Sequence, residues 1–285
     1  MKKRSRSVWL ALAVALWGTL GVCLLDTPAS WASDGRKTVR DLRLIVVLTR
    51  RAGDVDFFNN ILRPDDIVFT YGAKVKLLQR ITRPKTMFGR GSVAALEKEL
   101  RKLGSLSVDY IQYNPEQWKE SHTPKEEIAD LVGAVRRIRA LAERHKAKLS
   151  FTTDHVLLEK YGKQIAPLVD LFGIQLQRYQ RDSLETFRAE AARKVAIVRS
   201  GSRTVPIVLQ LSLAPPKWKV RTMPDGTKKR VYLRDRSGRK LYEPLPTDTV
   251  LRQMQAVKDL ADGIAFLYNE ETREALRKLV FRLRR

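Results

Sequence analysis

Short apolar runs rich in β-branched and aromatic residues alternate with longer stretches of helical periodicity, and this alternation restricts the folds open to the chain. The runs cover residues 44–49, 67–71, 108–114, 149–154, 172–177, 207–212 and 264–268, with a fainter one at 86–88. Between them, apolar positions recur at the three-to-four residue spacing of an amphipathic helix. In one such stretch Ile128, Leu131, Val132, Val135, Ile138 and Leu141 share a face, after Thr123-Pro124-Lys125-Glu126, which reads as a capping box with proline in the first turn. Further helix starts are expected near Asp182/Ser183, Thr247/Asp248 and Asn269. Parallel strands need helical crossovers, so seven clear units and a faint eighth predict an α/β fold, a closed (β/α)8 TIM-like barrel. An open doubly wound sheet is the alternative. Its glycine-rich dinucleotide turn is missing after the first strand, where the chain reads Thr49-Arg50-Arg51-Ala52-Gly53.

Residues 1–32 read as a secretory signal peptide. Lys2, Lys3, Arg4 and Arg6 precede an apolar run of 18 residues, 8–25, and a Ser30-Trp31-Ala32 ending predicts cleavage after Ala32. An uncleaved anchor, or a lipoprotein built on Cys23, are the alternatives, and each still exports the rest. A polar linker, 33–41, then leads to a single barrel domain over 42–285. Removing four basic residues and one acid with the leader lowers the net charge from +24 to +21. It also removes the one cysteine, which excludes thiol chemistry and disulfides from the mature chain. His122, His145 and His155 lack metal-ligand spacing, and no nucleophilic-serine elbow occurs, so neither a metal nor another cofactor is expected.

Side-chain alternation along the strands predicts what the barrel encloses. Leu149 and Phe151 oppose Ser150, Thr152 and Asp154; Phe172, Ile174 and Leu176 oppose Gly173, Gln175 and Gln177; Ile207, Leu209 and Leu211 oppose Val208, Gln210 and Ser212. Gln112 and Asn114 similarly oppose Ile111. The apolar sets should face the helices, leaving amides and hydroxyls at the C-terminal mouth, where barrel active sites lie. Amides donate and accept at once, which suits hydroxyl-rich ligands. Asn114, Gln177 and Gln210 are therefore candidates for orienting a sugar, with Tyr113, Tyr268 and Trp218 for stacking on it.

Three carboxylates follow strand ends: Asp154 after the fifth, Glu116 in Tyr113-Asn114-Pro115-Glu116, and Glu270 past the eighth. With the polar strand ends, they make the chain resemble the glycoside-hydrolase-like TIM barrels of exported bacterial proteins over most of 42–285. That resemblance implies glycan binding or hydrolysis, with Asp154 as acid or base and Glu116 or Glu270 as its partner. Asp154-His155 is a further acid–base candidate. The retaining glycosidases of this fold carry acids on the fourth and seventh strands, whereas here the seventh ends Gln210-Leu211-Ser212-Leu213. A non-catalytic descendant is therefore the other outcome that the resemblance allows.

Residues 214–246 interrupt the seventh unit. Within them 217–243 hold ten basic residues against three acids, a net of +7, and Pro224-Asp225-Gly226 and Arg236-Ser237-Gly238 mark the turns of a small β-meander. Following the seventh strand, it should overhang the mouth, with Trp218, Tyr232 and Tyr242 as flat faces and cations for acidic partners. Gly89-Arg90-Gly91-Ser92, before a helix, reads as an ordinary turn or an anion cradle. The partner expected is a glycan. The alternative function is a non-catalytic cationic envelope protein binding an anionic polymer. Export argues against nucleic acid, and membrane contact is expected only through an uncleaved leader.

Overall fold

A computed structural model describes residues 37–285 apart from 49–51, 72–74, 104–106 and 118–122. The predicted signal peptide, Cys23 and His122 lie outside the described residues. In chain order the strands are β1 (Arg43–Val47), β2 (Ile67–Tyr71), β3 (Lys85–Arg90), β4 (Tyr110–Tyr113), β5 (Lys148–Thr153), β6 (Leu171–Gln175), β7 (Ile207–Ser212), β8 (Trp218–Thr222), β9 (Lys228–Tyr232) and β10 (Gly263–Leu267). All but β8 and β9 form one closed parallel barrel, in which β10 pairs with both β7 and β1. The helices are α1 (Ala52–Ile61), α2 (Val75–Leu78), α3 (Val93–Leu103), α4 (Lys125–Ala129), α5 (Leu131–Arg144), α6 (His155–Ile165), α7 (Leu184–Gly201), α8 (Thr247–Val257) and α9 (Arg273–Arg284). The predicted (β/α)8 architecture is the one observed.

The faint third run is a full strand, β3. Its apolar signal is short because Gly89 occupies a strand position where a Cβ would lie 2.9 Å from both Gln112 Cβ and the Phe69 ring. Side-chain parity follows the expectation. Leu149, Phe151, Phe172, Ile174, Ile207 and Leu209 pack outward under the helices, in the main core. Inside the barrel, a second apolar cluster of Ile45, Ile67, Phe69, Met87, Tyr110, Leu171 and Val208 fills the space. Strands β1–β3 face inward with apolar residues, while β4, β6 and β7 each give one residue to this cluster and turn polar further along, at Gln112, Gln175 and Gln210.

A fourfold pattern ties the strands together at their N-terminal ends. Asp66, Asp109, Asp170 and Asp262 each immediately precede an even-numbered barrel strand. Each carboxylate accepts a backbone N–H at the start of the strand before it, from Leu44, Thr86, Leu149 and Ile207 at 2.7, 2.8, 2.8 and 2.8 Å. The barrel is thus built from four successive two-strand units, and the first of these aspartates is the most enclosed. Asp66 and Arg284 form an ion pair at 2.6 Å with side chains 0% and 1% exposed, fixing α9 beneath the barrel. Residues 37–41 also anchor here, Lys37 donating to the Ala261 carbonyl at 2.7 Å and Arg284 to that of Arg40 at 3.0 Å.

The helix predicted from Thr123 is two helices. Asp130 stands between them and accepts from Gly133 N, capping α5, so α4 is a separate short helix. Thr123 caps nothing: its hydroxyl donates to the Gly91 carbonyl at 2.7 Å and accepts from Glu116 N at 3.1 Å. Ser183 does cap α7, as expected, whereas α9 begins beyond Asn269, with Thr272 at its N-cap. In the insertion β8 and β9 form an antiparallel hairpin, and its third segment is reduced to bridges at Pro216–Tyr242 and Arg234–Lys240. Gly226 and Gly238 sit at φ +79° and +82°, the left-handed conformation that explains glycine at both turns.

Candidate glycan-binding mouth

A cavity of about 820 Å³ opens at the C-terminal ends of the strands. Strands β4, β6 and β7 and the residues just beyond them bring Asn114, Gln175, Gln177, Gln210 and Ser212 to its wall. Below it, Gln112 Nε2 donates to Thr152 Oγ1 at 2.9 Å. Gly173 makes room for that threonine: a Cβ there would lie 2.1 Å from Thr152 Oγ1. The aromatic wall is Tyr71, Tyr179, Tyr232 and Tyr242, the last two contributed by the insertion.

Of the three expected carboxylates, Glu116 alone lines this cavity. Its Oε1 accepts from Gln175 Nε2 at 3.1 Å and Asn114 Nδ2 at 3.5 Å, and the Thr123 bracket holds its backbone. Its negative charge is felt on both sides of the mouth. Burial, with Glu116 second, pushes the Tyr71 hydroxyl up, and Tyr242 is pushed up chiefly by burial, with Tyr232 and Glu116 adding to it. Asn114 Oδ1 is a buried acceptor without a hydrogen-bond partner among the described residues.

Asp154 has a different geometry from the one expected of a central acid. It is 1% exposed and caps α6, Oδ1 accepting from Val156 N at 2.9 Å and Leu157 N at 3.0 Å, while Oδ2 accepts from Gln117 N at 2.9 Å. Three backbone donors thus occupy both oxygens. Glu270 is exposed in the turn before α9, away from the cavity wall. Tyr113 is fully buried outside the barrel, its hydroxyl donating to Glu127 at 2.9 Å, and the role expected of it at the mouth falls. Strand parity explains this, since Tyr113 shares its face with Ile111. Tyr268 is turned to β1, donating to the Val47 carbonyl at 2.7 Å. Trp218 lies outside the wall too, its ring covered by the Arg230 guanidinium 4.4 Å from the centroid.

The anion cradle before α3 is filled by the chain itself. Both oxygens of buried Glu127 accept from Val93 N, at 3.1 and 3.0 Å, and Ser92 Oγ accepts from Ala95 N. Arg90, Gly91 and Ser92 nevertheless border the mouth.

Sequence reading missed Tyr71, Arg178 and Tyr179. The last two sit on a 3-10 turn, Gln177–Tyr179, directly after β6. That turn is held by a buried amide network, in which Gln180 bonds Ser212 through both backbone groups and Gln253 bonds Gln180. Arg230 holds it from the insertion, donating to the Arg178 carbonyl at 3.2 Å and to Asp182 at 2.7 Å. Its guanidinium lies between Tyr179 and Trp218, 5.3 and 4.4 Å from their centroids. Arg178 Nη1 meets His155 Nε2 at 2.7 Å. A guanidinium only donates, so this imidazole nitrogen accepts. Burial first, then the charges of Arg178 and Lys194, lower the His155 pKa and favour that neutral form. Lys194 is buried behind, 3.8 Å from Glu159 and 5.4 Å from the Tyr179 ring centroid; burial, then Arg193, lowers its pKa.

The fold and mouth define a (β/α)8 barrel with a polar opening that carries one carboxylate, Glu116, among its described lining residues and is partly roofed by a basic insertion. Neither a protein-family model nor a curated protein matches the chain. Among solved structures it is similar to concanavalin B, at 11% identity and a TM-score of 0.51 over 86% of this chain and 99% of that one. It is also similar to two xylanase–α-amylase inhibitor proteins. XAIP-III aligns at 10% identity and TM-score 0.48, over 84% of this chain and 97% of its own. XAIP-I, solved with trehalose, aligns at 10% and 0.46, over 85% and 98%. At such identity the likeness is one of fold.

Proposed function

We propose that the protein is an exported, glycoside-hydrolase-like barrel that binds a glycan at its mouth without hydrolysing it. The observation that carries this reading is a cavity wall of amides around a carboxylate: Asn114 and Gln175 bond Glu116, and Gln177 and Gln210 line the same cavity beside tyrosine faces. Such groups accept and donate to sugar hydroxyls, and the open acceptor on Asn114 is a place for one. Two-carboxylate hydrolysis asks for a second acid across the bond. Among the described lining residues Glu116 has no such counterpart, because Asp154 caps a helix and Glu270 lies elsewhere. Export rests on the basic–apolar–small pattern of residues 1–32. Binding measured against a panel of oligosaccharides tests the reading. At least one should bind, and Asn114→Ala should weaken it about fivefold, the value of a typical hydrogen bond. A panel with no binder overturns the proposal.

A further inference from the structure

Among its described lining residues the mouth carries three cations and one carboxylate. Arg90, Arg178 and Lys240 line it with Glu116. Arg90 faces Glu99 at 3.7 Å, and Lys240 lies over the Tyr232 ring at 4.8 Å. Arg178 differs from both. It is half-buried, and among the described residues its one hydrogen-bonded side-chain nitrogen is Nη1, whose partner is an imidazole rather than a carboxylate. Removing a guanidinium from water without an anion is costly, and a ligand that brings one recovers that cost.

The surroundings hold this cation in place. Arg230 grips the Arg178 carbonyl, the Gln180 amide network fixes the next turn, and His155 Nε2 orients the guanidinium. Its Nε and Nη2 are left as a planar fork, the geometry that matches two carboxylate oxygens. Lys194 is buried behind Tyr179, 5.4 Å from its ring centroid, and pairs with Glu159 at 3.8 Å.

We propose that the glycan taken by this mouth is acidic, and that Arg178 seats the carboxylate of a uronic acid residue. The inference rests on the glycan-binding reading above and adds the ligand's charge to it.

Calorimetric titration of the protein with three oligosaccharides of equal length, one neutral, one of uronic acids and one sulfated, tests it at fixed low salt. The uronate should bind at least about tenfold more tightly than the neutral sugar. Arg178→Gln should bring the uronate down to the neutral sugar's affinity and leave the neutral sugar nearly unchanged. Arg178→Lys, which keeps the charge and the turn but loses the fork, should fall between. Lys219→Gln, on the hairpin outside the cavity wall, should preserve the preference. Equal affinity for neutral and uronate sugars overturns the inference while leaving glycan binding intact. Equal losses from Arg178→Gln and Lys219→Gln overturn it in favour of diffuse charge, and tighter sulfate binding overturns the choice of carboxylate. If none of the three binds, the glycan-binding reading fails with it.

Discussion

At the residue scale, the environment of each carboxylate separates its role from its position in the sequence. Asp154 and Glu116 both follow strand ends, yet one is saturated by backbone N–H groups and the other faces an open cavity. Asp154→Ala should therefore cost about 1–2 kcal/mol of folding stability, as lost N-caps do. Urea unfolding measures that, and the glycan affinity of the folded variant should stay at the wild-type value. A loss of binding with unchanged stability would return Asp154 to the site. Candidate residues were legible where strand parity alone places them, as for Asn114 and Gln210. Asp154 was misread because an acid after a strand is equally the N-cap of the following helix, and the two roles share one sequence signature. Tyr113 was legible in principle, since its parity with Ile111 already put it outside.

At the scale of elements, the 3-10 turn after β6 and the hairpin β8–β9 work as one piece. Arg230 links them through two hydrogen-bond partners and two aromatic faces, and Arg181 adds bonds to the Pro215 and Glu243 carbonyls. Stacking of a guanidinium on an aromatic ring is worth about 0.5–2 kcal/mol. Arg230→Ala should therefore let the hairpin open about tenfold more often. Limited trypsin digestion should show cleavage within 217–243 accelerating to that extent, with weaker glycan binding as Tyr232, Lys240 and Tyr242 leave the mouth. Unchanged cleavage would mean that the backbone bridges alone hold the insertion. The hairpin itself was readable from its turn glycines. The turn after β6 was not, because its stability comes from partners distant in sequence, Arg230 and Gln253, rather than from local turn chemistry.

On the scale of the whole molecule, the four aspartates show how a barrel with no disulfide among its described residues is held. They occupy equivalent positions but differ in burial. Asp66→Asn leaves Arg284 without its carboxylate in a site closed to water and should cost about 3–5 kcal/mol. Asp262, whose side chain is 46% exposed and pairs with Arg199 at 3.2 Å, should cost about 1 kcal/mol in the same change. Chemical denaturation of both variants checks the contrast, and equal losses would contradict it. The eight-unit alternation made this architecture legible, since apolar parity and crossover lengths are local properties of the chain. The fourfold unit was hidden because its marker is one aspartate before every second strand, spaced unevenly by loops and the insertion. The proposed binding site lies at the opposite end of the barrel, around Glu116. The most direct test there is titration of a bound oligosaccharide into wild type and Glu116→Gln, with chromatographic analysis of the mixtures for cleavage products. Binding without products is expected, about tenfold weaker in Glu116→Gln because a charge-assisted hydrogen bond is lost. Products formed by the wild type and abolished in Glu116→Gln would contradict this account and make the protein a hydrolase.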